Sequence, residues 1–124
     1  MSNKPKNLDI QCAELGRQLA SVSGVDEKIV NAALTVLEEQ GPYAMFLYLQ
    51  ARHSNVANSI SRESLSFLKE IFANQLDGVN NILDAVKRLA DKDNLDDLLF
   101  ARELLRTALS YARYHLKAKG GGGS

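Results

Sequence analysis

The chain has no tryptophan, a single cysteine, two prolines and no excess of charge of either sign, and each shortage narrows what it can be. One cysteine, Cys12, excludes an internal disulfide. Lying among apolar positions, it reads as a core residue of a protein kept in a reducing compartment, so a cytoplasmic location is expected. No apolar run approaches the roughly 18 to 20 residues that cross a bilayer. The polar start from Met1 to Asn7 has no signal-peptide core behind it, so neither membrane nor secretion is expected. Fifteen bases balance fifteen acids, which removes bulk basicity as an argument for nucleic acid and bulk acidity as an argument for disorder.

The motifs of catalysis are missing too. There is no HExxH, ExxH or CxxC, and neither His53 nor His115 has an acid or a second histidine at metal-ligand spacing. The glycines form neither GxGxxG nor a phosphate-cradling loop. The adjacent acids Glu38 and Glu39 point to different sides of a helix at its C-terminal end, where negative charge is unfavourable, and read as solvated surface rather than a catalytic pair. The expectation is a protein with no catalytic residues, no metal and no cofactor, whose function lies in surfaces it presents to larger partners.

What is present is helix. The 124 residues, 45% apolar and 24% charged, suit one domain with its own core. Leu8, Cys12, Leu15, Leu19 and Val22 recur at spacings of four and three, which predicts a first helix ending before Gly24. Ser23 and Asp26 resemble a capping box that starts a second, with Ile29, Val30, Ala33, Leu34 and Leu37 on its apolar face and Gly41 at its end. Pro42 suits the first position of a third helix, a buried central one carrying the apolar run Tyr43 to Leu49. The polar stretch Ser54 to Ser61 reads as a loop before a fourth helix presenting Leu65, Leu68, Ile71 and Phe72. Val79, Ile82, Leu83, Val86, Leu89 and Ala90 mark a fifth. Asn94 as N-cap, with Asp96 and Asp97 in the first turn, opens a long last helix to Lys119. The sequence thus predicts an all-α, single-domain bundle of about six helices, up and down in order, with a long C-terminal helix. A flexible N-terminus occupies 1–7, the helical domain 8–119, and a Gly/Ser linker 120–124.

Charge is neutral in sum but segregated. Asp26 to Glu39 and Asp91 to Asp97 each hold four acids and one base, whereas Leu98 to Lys119 holds five bases against Glu103 alone. On the last helix Arg102, Arg106, Arg113 and Lys117 fall within a sector of roughly 60 degrees and span about 20 Å. Beside them runs the apolar face Leu98, Ala101, Leu105, Ala108, Ala112 and Leu116, so the cations are expected to reach outward. Such a row suits several phosphates of a nucleic-acid backbone, and equally a solvated face complementing the helix dipole. Tyr111 and Tyr114 lie off the main apolar stripe and are candidate protein-interface residues, as are Glu38 and Glu39. A helix-turn-helix over Gln50 to Phe67 is set aside because the polar stretch is too long for its tight turn.

The string Val36 to Leu49, with its Gly41-Pro42-Tyr43 entry, followed downstream by Ala101 to Leu105 and Leu109 to Ala118, resembles the Cmr-type small helical subunit of type III CRISPR effector complexes. The resemblance covers most of 8–119. It implies a non-catalytic subunit of an RNA-guided ribonucleoprotein, bracing backbone and large subunits and cradling guide RNA and target RNA through sequence-independent phosphate contacts. Arg102, Arg106, Arg113 and Lys117 are the positions that match as nucleic-acid contacts, with Arg52 and His53 as weaker ones. The neutral charge departs from what an RNA-binding subunit suggests. Copies stacking head to tail, the acids of Asp26 to Glu39 on the basic end of a neighbour, would reconcile the two. The alternative is a helical protein-protein adaptor with no nucleic-acid role.

Overall fold

The computed structural model describes residues 7–91 and 95–121. Among them are six helices and no strand: α1 (Leu8–Ala20), α2 (Glu27–Gln40), α3 (Pro42–Arg52), α4 (Ser54–Ile71), α5 (Ile82–Leu89) and α6 (Leu95–Gly121). The last helix continues past Lys119 into the first two glycines of the tail. Most of the 1–7 segment, Asn94 and residues 122–124 lie outside the described residues. No described helix is long and apolar enough to cross a membrane.

Local chemistry accounts for the boundaries. The Asn7 side chain accepts from the backbone N–H of Asp9 and Ile10 and so starts α1. The cap of α2 is Asp26 rather than Ser23, its carboxylate accepting from Ile29 N at 2.9 Å. Gly41 ends α2 and precedes α3 with φ 98 and ψ 176, a conformation open essentially to glycine alone. Pro42 follows at the first helical position, where its missing N–H costs nothing.

One expectation fails outright. Ser54 to Ser61 is helix, not loop, and α3 joins α4 through His53 alone. Ser54, Asn55 and Asn58 face solvent while Val56, Ala57 and Ile60, at helical spacing, are buried. The amphipathic period outweighs the average polarity of the segment. The long connection that set aside a helix-turn-helix is therefore absent, replaced by a one-residue link shorter than the usual three or four. The apolar run of α3 is also only partly interior: Met45, Phe46 and Leu49 are buried, whereas Tyr43 and Leu47 face out.

Helices α2 to α6 each pack on the next, but α1 does not follow that pattern, packing chiefly on α6 and α4. Cys12 lies beside Leu104 and Gly16 beside Ala108 and Ala112, so α1 and α6 run in the same direction, which departs from a simple up-and-down bundle. The approach is close: a Cβ built on Gly16 would sit 2.6 Å from the Ala108 carbonyl oxygen. Leu15, Leu19, Leu37, Phe46, Leu68, Leu89 and Leu105 fill one core against which all six helices bury their apolar faces.

Candidate nucleic-acid interface

The cationic sector of α6 lies along α2, and the two helices run antiparallel. Lys117 Nζ is 3.5 Å from Glu27 Oε2 near the start of α2, and Arg113 Nη1 donates to Asn31 Oδ1 at 3.3 Å one turn on. At the far end of the seam Arg102 Nη2 donates to the backbone oxygen of Glu38. That oxygen belongs to the last turn of α2, where carbonyls lack helical partners and the dipole is negative. The last turn of α2 has no base of its own, so Arg102 supplies the cation from a neighbouring helix. Arg106 pairs within its own helix, its Nη2 2.8 Å from Glu103 Oε1. This hydrogen bond holds the Glu103 carboxyl below its ordinary pKa and the Arg106 guanidinium above its own.

The row is thus ordered rather than free. Arg102, Arg106 and Arg113 are half-buried, and Lys117 is exposed. The expectation that all four reach outward is corrected, because α2 lies close enough to engage three of them. Each guanidinium nevertheless carries five N–H donors in a fixed fork. The contacts to α2 engage a single donor of Arg102 and a single donor of Arg113.

Other candidate residues lie apart from the row. Arg52 is exposed in the last turn of α3, and His53 is half-buried with its Nε2 3.3 Å from Tyr48 Oη and the rings edge to face. Their helix α3 packs on α2, α4 and α5. Tyr111 turns to the opposite flank of α6, where its hydroxyl donates to the Asp9 carboxylate at 2.9 Å and its Cβ faces Gly16. The bond to Asp9 holds the phenol above its ordinary pKa. Tyr114 stands out into solvent at 63% exposure. Glu38 and Glu39 are exposed at the end of α2, beside Arg102.

Sequence reasoning did not find Asn31 and Glu27 as partners of the row, or Asp9 and Gly16 as partners of Tyr111. The one available signal was the opposite sign of the Asp26 to Glu39 segment and the last helix. Cys12 is buried as expected, its thiol facing the Leu104 carbonyl oxygen at 3.6 Å, and burial pushes its pKa up to about 11. Elsewhere a groove of about 400 Å³ runs between α1 and α4 over Ile10, Leu15 and Phe67, with Glu14 and Glu63 at its edge. Among the described residues no cluster of three or more His, Cys, Asp or Glu is placed to hold a metal ion. In comparisons with known proteins no family model, no curated protein and no solved structure matches this chain.

Proposed function

We propose that this chain is a non-catalytic small subunit of an RNA-guided type III CRISPR effector, as its resemblance to the Cmr-type subunit implies. In this reading α6 touches the guide-target backbone without reading sequence, and other helix faces meet backbone and large subunits. The observation that carries the proposal is the ordered row Arg102, Arg106, Arg113, Lys117. Side chains already held in place lose less freedom on meeting a phosphate than free ones do, and the spare guanidinium donors suit phosphate oxygens.

The contacts with α2 also favour a second reading, the adaptor, in which the row is a seam of the fold and carries no nucleic acid. The two part on one experiment. Arg106→Glu with Arg113→Glu is introduced, the chain is co-purified with its native assembly, and capture of guide-target duplex is followed against salt. The RNA reading expects the double variant to assemble, to hold duplex about tenfold or more weakly at low salt, and to show a shallower salt slope by about two phosphate contacts. Unchanged capture and slope in a normally assembled complex, or co-purification with no RNA at all, favours the adaptor.

A further inference from the structure

The outward line of α6 is self-complementary. At 100 degrees per residue Asp96, Leu99, Glu103, Ser110, Tyr114 and Lys117 follow one another along the side facing away from Ala101, Ala108 and Ala112. Leu99 is 48% exposed and Tyr114 63%, the two large apolar side chains on this line. They are equidistant from the midpoint between Arg106 and Thr107. Asp96 and Lys117, both exposed, are equidistant from the same point. A two-fold axis through that point therefore sets Leu99 against Tyr114 and Asp96 against Lys117 of a second antiparallel copy, each contact occurring twice. Near the axis the two Glu103–Arg106 pairs face each other, with two charges of each sign.

We propose that the free chain pairs with a second copy of itself through this antiparallel α6 face. The occupant is a second copy because one register covers the apolar side chains and pairs the end charges together, as an isologous contact requires. The line is about 32 Å long, a helix-on-helix contact at the small end of specific interfaces, so the pair is weak and reversible. It covers Arg106 and Lys117, which makes pairing and duplex capture mutually exclusive.

The test is sedimentation equilibrium of the whole chain, without RNA, over a concentration series at low salt, with thermal melts to confirm that each variant folds. The expected result is a monomer–dimer equilibrium that Leu99→Ser abolishes. Asp96→Lys and Lys117→Asp each weaken it about tenfold, and the two together restore it to within about threefold of the parent. A chain that stays monomeric at the highest concentration overturns the proposal. So does a dimer indifferent to these changes, or a monomer whose Leu99→Ser variant fails only to enter a larger assembly, which would give the face to another protein. Because no RNA is present, failure here leaves the RNA reading standing, and the converse holds as well.

Discussion

On the flank of α6 that faces α1 the innermost contacts are made to backbone, Gly16 against the Ala108 oxygen and the Ala112 nitrogen and the Cys12 thiol on the Leu104 carbonyl, with the Tyr111–Asp9 hydrogen bond outside them. On the flank that faces α2 the outer contacts are made by the tips of long polar side chains, Arg102, Arg113 and Lys117, reaching Glu38, Asn31 and Glu27. One helix is thus fixed on one side by packing that admits no substitute partner and edged on the other by contacts that a phosphate or a carboxylate can replace. Close packing tolerates little change of volume, whereas an exposed ion pair contributes little to stability and exchanges readily. A helix held in this way can offer one edge to a partner without loosening the fold.

The difference can be broken most directly at Gly16. Gly16→Val places side-chain atoms against the Ala108 oxygen and the Ala112 nitrogen, neither of which can turn aside, and is expected to cost about 3 kcal/mol of unfolding free energy in urea titration. A loss under about 0.5 kcal/mol would mean that α1 and α6 can part without penalty.

Next in size is the pH dependence carried by Cys12. Its folded pKa is raised from 9.0 to about 11, so the thiol is neutral in both states below pH 9 and its contribution is fully present there. As pH rises from 9 to 11 the unfolded chain ionises first, and roughly 2 to 3 kcal/mol of stability is expected to be lost. Cys12→Ala removes this part of the alkaline slope. Equal slopes for the two proteins between pH 9 and 11 would show that the thiol is not held in that environment.

The smallest effects are expected on the α2 flank. Arg113→Ala and Lys117→Ala each cost less than about 1 kcal/mol, and the cost of the lysine change shrinks in 1 M salt because the Lys117–Glu27 pair is exposed to screening. A loss above about 2 kcal/mol for either would make that edge a structural seam and weigh against its availability to RNA.

Periodicity exposed much of this in the sequence. All six helices, the stop at Gly41, the entry at Pro42 and the grouping of Arg102, Arg106, Arg113 and Lys117 follow from local spacing, because a 3.6-residue repeat fixes which side chains share a face. The first turns of α4 differ from the expected loop because serine and asparagine raise the average polarity of the segment while Val56, Ala57 and Ile60 keep the helical period. Direction and pairing of distant helices were not legible, since neither the parallel run of α1 beside α6 nor the closure of Glu27 and Asn31 on the cationic row is written in any local window. The α2 contacts changed the reading of the row most: spacing placed the cations together, and only the fold shows that α2 already orders them.

The central claim, that the α6 edge meets RNA, is tested most directly by photo-crosslinking. A photoreactive residue is placed at position 106, with Glu63 on α4 as the control position, in the chain assembled with its native partners. The account predicts crosslinks from position 106 to the guide or target strand and none from position 63. Crosslinks from position 106 to protein alone would contradict it and give this edge to an adaptor function.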